Sequence, residues 1–397
     1  MLETFEMADL SPCGEAEPLF TVETAETARR FHQSFPEYKP TPLVELKGLA
    51  AHLGVTSFHV KDESYRFGLN AFKVLGGSYC IGRYIAERLG TDIRELSYDK
   101  ITSRAVREKL GQITFVTTTD GNHGRGIAWT ADRLGQKSVV YMPKGSAQER
   151  LENIRALGAE ASITDLSYDD AVCFARKQAE EKGWVLVQDT SWEGYEEIPS
   201  WIMQGYTTMA HEAVEQLDGL RPTHIFLQAG VGAMAGALTG FFADYYKSSM
   251  PIISIVEPNG ADCIFRTAKA NDGQLHVFEG DMETIMAGLC CGVPCGVGWR
   301  QLAAYASHFL SVPDWAAAKG MRMLGNPLPG DERIISGESG AATCGAVAEI
   351  LENERLSSIK ERLGLDGDSR ILCISTEGDT DRANYRRIVW DGAWPSF

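Results

Sequence analysis

The 397-residue chain contains no run of about 18 apolar residues, the length a bilayer-spanning helix needs. Its first residues, MLETFEMADLSPCGEAEP, are acidic and lack the basic-then-apolar pattern of a secretion signal, so the cytoplasm is the expected location. Positive charge is scarce. Lys and Arg number 38 against 54 Asp and Glu, a formal net charge of −16, which disfavours nucleic acid or an anionic membrane as partner. The nine cysteines are scattered and odd in number, unlike a secreted disulfide framework. With no paired Cys-x-x-Cys and no His-x-x-x-His, no metal site is expected either. Cys290, Cys291 and Cys295 cluster with glycine and proline, with Cys263 upstream, and any pairing among them stays open. Also lacking are a fixed-period repeat, a low-complexity linker, the dinucleotide fingerprint Gly-x-Gly-x-x-Gly and the nucleotide loop Gly-x-x-x-x-Gly-Lys-[Ser/Thr]. These absences set a dinucleotide dehydrogenase aside.

What is present is globular composition, 44% hydrophobic and 23% charged, with length for more than one domain. The organising stretch is residues 114–126, TFVTTTDGNHGRG. Phe115 and Val116 read as the end of a buried strand, and Ile127, Ala128, Trp129 and Ala131 have helical spacing. Between them the loop Thr119-Asp120-Gly121-Asn122-His123-Gly124 joins a strand's carboxyl end to a helix amino end. Open α/β sheets bind ligands there, though an ordinary turn uses the same residues. Lys73 follows Asn70-Ala71-Phe72, with Asn70 expected to cap a helix through Val74, Leu75 and Tyr79. A lysine among apolar neighbours is costly unless paired or covalently used.

Strands alternate with helices: strands at 138–142, 161–164 and 185–188, helices at 147–157 and 168–182. That alternation implies a parallel sheet covered on both faces. Residues 88–112 are charged and weakly patterned, and a surface insertion with one or two short helices is expected. A glycine at 205, inside the helix expected over 198–217, suggests close approach to a neighbouring backbone. The strand 223–228 runs into Gly230-Val231-Gly232-Ala233-Met234-Ala235-Gly236. Small residues there let the backbone wrap an anion at a helix amino end, and the absence of nucleotide fingerprints points to a small phosphorylated cofactor. A tight turn without ligand is the plainer alternative. Residues 336–342, Ser-Gly-Glu-Ser-Gly-Ala-Ala, are expected to precede a helix through Ile350, with Glu338 in a loop, and the last strand, 371–374, ends in Ser375-Thr376-Glu377.

A lysine at a helix start, a Gly-Asn-His loop, a glycine-rich cradle and a terminal hydroxyl loop occur in that order. Together they resemble the fold-type-II pyridoxal-phosphate enzymes, over nearly the whole chain from Thr41 to Asp381. The resemblance implies two open, twisted, mostly parallel sheets flanked by helices, with pyridoxal 5'-phosphate in the cleft between domains. It implies a large cofactor-binding domain of residues 1–79 and 186–397 and an inserted α/β domain of 80–185. Lys73 would hold the cofactor covalently. Asn122 would bond its ring oxygen, and Gly230, Val231, Gly232, Ala233 and Met234 its phosphate. Thr376, or failing it Ser375, would meet the ring nitrogen. Thr119, Asp120 and Asp189 would line the substrate position.

Two departures narrow the match. Counting from Lys73 to Asp120 gives 120 − 73 = 47 residues, more than is usual in the family. Asp120 stands where the family carries a small or hydroxylic residue. Residues 61–73, 117–126 and 375–381 look like the ammonia-lyases that act on 2,3-diaminopropionate, with Lys73 and Asp120 as catalytic bases. That subfamily is expected to be homodimeric and to convert both D and L isomers to pyruvate and ammonia. A serine or threonine dehydratase of the same fold, or a non-catalytic metabolite-binding protein, are the alternatives.

Overall fold

A computed structural model describes residues 4–119 and 121–396. The strands are β1 (Glu6–Asp9), β2 (Leu43–Glu45), β3 (Ser57–Asp62), β4 (Thr114–Thr118), β5 (Lys137–Met142), β6 (Glu160–Ile163), β7 (Val185–Leu186), β8 (His224–Gln228), β9 (Ile252–Pro258), β10 (His308–Val312) and β11 (Arg370–Ser375). They form a seven-stranded sheet in the order β1-β10-β9-β8-β11-β3-β2 and a four-stranded sheet in the order β6-β5-β4-β7. The four-stranded sheet is wholly parallel. In the larger sheet only the edge strands β1 and β2 run antiparallel to their neighbours. This is the mostly parallel α/β architecture that the alternating strands and helices imply.

The chain packs as two compact units, one of residues 1–21, 40–65 and 209–397, the other of 22–39 and 66–208. The stretch 80–185 lies within the second unit, and residues 22–39, 66–79 and 186–208 pack with it. Residues 22–39 and 66–79 join it because the helix Val22–Gln33 sets Phe31 against Gly82, where a Cβ would lie 2.4 Å from the ring. Residues 186–208 join it because Gly205 lies against the Leu75 carbonyl, which a Cβ would approach to 2.3 Å. That is the close backbone approach expected of a mid-helix glycine.

In the second unit, adjacent valines of β5 face opposite ways. Val140 packs with Ala128, Leu151 and Ile154, and Val139 with Val116, Ala175 and Leu186. Both faces are buried, as side-chain alternation along a covered parallel strand requires. The charged stretch 88–112 forms the short helices Tyr98–Thr102 and Arg104–Leu110, capped by the hydroxyls of Ser97 and Ser103. The expected cap at Asn70 is not one. Asn70 has φ +58°, a left-handed conformation that Asn tolerates, and the helix begins later, as Val74–Leu89. The expected strand at 185–188 also stops early, at Leu186.

In the first unit a single buried cluster joins β3 and β11 to the helices that cover them. Near the end of β3 stands Lys61, fully buried, whose ammonium donates to the Thr41 carbonyl at 2.7 Å, Glu212 Oε2 at 2.7 Å and Gln216 Oε1 at 2.8 Å. Three acceptors meet the cation's three donors, which is what makes its burial tolerable. The helices Asp314–Gly325 and Glu338–Glu352 touch through a reciprocal glycine pair. A Cβ on Gly345 would stand 1.9 Å from the Ala316 carbonyl oxygen, and one on Gly320 2.2 Å from that of Ala341. Gly345→Ala must therefore push the helices apart despite alanine's better helix propensity. We expect a loss of about 1–3 kcal/mol, read as an apparent Tm lower by several degrees. An unchanged or higher Tm would show that the two helices separate freely.

Candidate active site

In the second unit the loops after β4 and β7 and the start of the helix Val74–Leu89 converge. Lys73 stands at the amino end of that helix with its ammonium 2.5 Å from Asp189 Oδ2, and the two side chains are 23% and 8% exposed. Burial alone would raise the Asp189 carboxyl. The Lys73 ammonium and His123 outweigh it and hold Asp189 well below the usual carboxylate range. His123 Nε2 donates to the Val187 carbonyl at 2.9 Å, which turns Nδ1 towards Asp189 Oδ2 at 3.8 Å. His123 reaches this position because the helix Asn122–Arg133 closes on the lysine's helix at Gly126. A Cβ there would lie 2.9 Å from the Val74 Cα. The repeated glycines of the Gly-Asn-His-Gly-Arg-Gly stretch thus serve close packing.

Thr119 is buried, and its hydroxyl accepts from the Gly121 N–H at 3.0 Å, bracing the loop. Asn122 is partly exposed at the first turn of the helix. Asp120, proposed from the sequence as a base, lies outside the described residues. The structure thus brings Lys73, Asp189 and His123 together. Of these, His123 was read only as part of a motif.

The first unit holds the glycine-rich turn. Gly232 has φ +84°, in the left-handed region that glycine fills without strain. A Cβ on Gly236 would lie 2.6 Å from the Gly298 Cα. The helix Ala233–Tyr246 follows, and its first N–H groups have no intrahelical acceptor. Those N–H groups, with no acidic side chain in 229–236, fit a phosphate. Nearby in sequence, Gln228 ends β8. Its Nε2 donates to Thr376 Oγ1 at 3.1 Å, the Ile374 carbonyl at 2.9 Å and the Ser339 carbonyl at 3.0 Å. With its oxygen accepting from Gln228, the Thr376 hydroxyl keeps its proton to donate, which suits a neutral pyridine nitrogen. Ser375 is fully buried and donates to Ser336 Oγ at 2.8 Å. Gln228 escaped the sequence reading; its one signal is a polar residue closing an apolar strand.

Behind the Thr376 loop sit two buried carboxyls, Glu338 and Glu377. Glu377 accepts from the Ser339 N–H at 3.3 Å and Thr380 Oγ1 at 3.1 Å, and Asn384 Nδ2 donates to Glu338 at 2.5 Å. Burial, and next the neighbouring Glu377, push Glu338 up to about 7; Asp381 adds to the effect. A carboxyl raised by folding binds its proton more tightly when folded, so its contribution is full below about 4.5 and is lost as pH rises to about 7. Glu338→Gln removes that slope. The wild type should lose of order 3 kcal/mol relative to the variant between pH 5 and 8, measured by unfolding each at several pH values. Parallel profiles would contradict the raised carboxyl.

Comparisons with known proteins agree with this chemistry. The family described as "Pyridoxal-phosphate dependent enzyme" matches residues 35–377. Diaminopropionate ammonia-lyase of Escherichia coli (strain K12) is 52% identical over 381 residues, covering 96% of this chain and 94% of that protein. The crystal structure of Escherichia coli diaminopropionate ammonia-lyase with D-serine superposes with a TM-score of 0.93 at 49% identity, over 99% of this chain and 98% of that one. The same enzyme with an aminoacrylate–PLP azomethine reaction intermediate gives 0.90 at 49% identity and the same coverage.

Proposed function

The chain belongs to the pyridoxal-phosphate dependent enzymes, and from that membership we propose a carbon–nitrogen lyase that eliminates ammonia from 2,3-diaminopropionate. One diaminopropionate and one water give one pyruvate and two ammonia. The observation that carries this reading is the Lys73–Asp189–His123 cluster in a chain 52% identical to such an enzyme. Pyridoxal phosphate, when bound, withdraws electrons from the substrate's Cα and so acidifies its proton.

The residues supply the rest. Lys73 is assigned to the cofactor's carbonyl carbon and, once displaced by substrate, to the Cα proton. Nζ then carries the positive charge that the Asp189 carboxylate already meets at 2.5 Å, so the transfer is electrostatically favoured. Nζ can next give that proton to the departing β-amine, which leaves most easily as ammonia. His123 Nδ1 lies 3.8 Å from the same Asp189 oxygen that meets the lysine, and it helps Lys73 keep the carboxylate ionised. The turn of Gly230, Val231, Gly232, Ala233 and Met234 is assigned to the phosphate, Asn122 to the ring oxygen and Thr376 to the ring nitrogen. Thr119, whose hydroxyl accepts from the Gly121 N–H, is assigned with Asp120 to the substrate position. Asp120 is assigned as the second base, for the isomer whose Cα proton Lys73 cannot reach. Family membership supports a homodimer. The scatter of the cysteines, without a paired framework, supports the cytoplasm. Among the described residues no helix is long and apolar enough to cross a membrane.

Purified holoenzyme incubated with each isomer of diaminopropionate and of serine, with pyruvate followed, tests the reaction. Serine belongs in the panel because the Escherichia coli relative was crystallised with D-serine. We expect pyruvate from both diaminopropionate isomers and little from serine; turnover mainly of one serine isomer would make this a dehydratase, and no turnover a binding protein. Asp120→Asn should lower D-isomer turnover by about 100-fold or more while sparing the L isomer. Equal loss on both isomers would refute the second base.

A further inference from the structure

The main-chain ladder between β4 and β7 is only two residues long, Phe115 opposite Val185 and Val116 opposite Leu186. One more bond follows, from the Val187 N–H to the Val116 carbonyl at 2.9 Å, and then main-chain pairing ends. The chain nevertheless has to deliver Asp189 from one strand end and the Thr119–Asn122 loop from the other. A side chain continues the ladder. Gln188 Oε1 accepts from the Thr118 N–H at 3.1 Å, and Gln188 Nε2 donates to the Thr118 carbonyl at 3.1 Å. The amide thus pairs with both main-chain groups of Thr118, as a neighbouring strand's peptide groups would.

The remaining capacity of that amide is also engaged. Oε1 accepts from Thr117 Oγ1 at 3.1 Å, and Nε2 donates to the Tyr168 hydroxyl at 2.9 Å. Two donors and two acceptor sites, all occupied, satisfy a side chain that is fully buried. The main chain of Gln188 is held separately. Its N–H donates to the Tyr195 hydroxyl at 2.9 Å, and that hydroxyl donates to the Leu186 carbonyl at 2.9 Å. Gln188 immediately precedes Asp189, and Thr118 immediately precedes Thr119 and Asp120. An amide with one shape and no rotational freedom left therefore fixes the separation of the two arms.

We propose that Gln188 is a positioning residue for the elimination: its side-chain amide sets where Asp189 stands against Lys73 and where the chain leaves β4 at Thr118. This rests on the reading of Lys73, Asp189 and Asp120 as the proton-handling groups. Gln188 touches neither substrate nor cofactor on this proposal. It acts through the two residues that follow the strand ends it joins.

Gln188→Met keeps length and bulk, adds no charge and removes all four amide hydrogen bonds. Tyr195→Phe leaves the amide intact and releases the main chain of Gln188; it decides the matter should the methionine variant fail to fold. Each is loaded with pyridoxal phosphate, and three quantities are compared with the wild type: kcat, KM for L-diaminopropionate, and the pH midpoint of the bound cofactor's visible absorbance. Displacing catalytic groups by about 1 Å costs about 100-fold, so Gln188→Met should lower kcat about 10- to 100-fold with KM within about threefold. A less closely held Asp189 favours the positive charge on the lysine nitrogen less, so the absorbance midpoint should fall by about half a unit to one unit. Tyr195→Phe should move both in the same direction by less. A purely structural role would lower Tm and the loadable fraction but leave kcat per bound cofactor and the midpoint where they were. That result in the folded, loaded variants overturns the proposal. Wild-type protein that neither attaches cofactor nor releases pyruvate would instead overturn the reaction itself.

Discussion

The short ion pair between Lys73 and Asp189 is the constraint on which the second unit's loops depend. A lysine at a helix start, among apolar neighbours, needs a fixed counter-charge. Asp189 supplies it only if β7 stops where it does and the chain turns towards the helix Val74–Leu89. His123 then completes the arrangement, and it arrives because Gly126 lets one helix lie against the other's first turn. The energetics are asymmetric. Removing either partner would leave a nearly buried charge alone, which costs far more than the pair contributes. The pair therefore specifies a geometry more than it stabilises a fold.

The two units solve one problem in the same way. Gln188 follows β7 and Gln228 ends β8, both buried, and each uses its amide to tie down the neighbouring strand's carboxyl end. In the first unit that tie fixes Thr376; in the second it fixes Thr118, the residue before the Thr119 loop. Loops at strand carboxyl ends have lost their main-chain partners, so a side chain that offers both a donor and an acceptor replaces them. Glutamine does this without charge, which matters beside Asp189 and beneath the Glu338–Glu377 pair.

Much of this was legible in the sequence, for identifiable reasons. Strand and helix alternation gave β5, β6 and the helix Tyr168–Lys182 to within a residue or so, because apolar periodicity survives any tertiary arrangement. The glycine turn and Lys73 were legible because their residue types are unusual for their places. The unit boundaries were not, since they are set by contacts such as Phe31 on Gly82, which span about 50 residues and leave no local mark. The edge strand β1 and its neighbour β10 were missed, both being short and the first polar. Asn70 misled because asparagine favours both helix caps and left-handed turns, and only the backbone decides between them. Gln188 and Gln228 were passed over because a single polar residue after an apolar run ordinarily marks a strand's end and nothing more.

The most direct measurement is to reduce the holoenzyme with borohydride, digest it and locate the cofactor by mass spectrometry. Reduction turns the lysine–cofactor bond into a stable amine. The cofactor should be found on the peptide containing Lys73 and on no other, and Asp189→Asn should retain that site while altering the pH dependence of the bound cofactor's absorbance. A cofactor fixed to a different lysine, or to none, would contradict the assignment of Lys73 and with it the chemistry built on its pairing with Asp189.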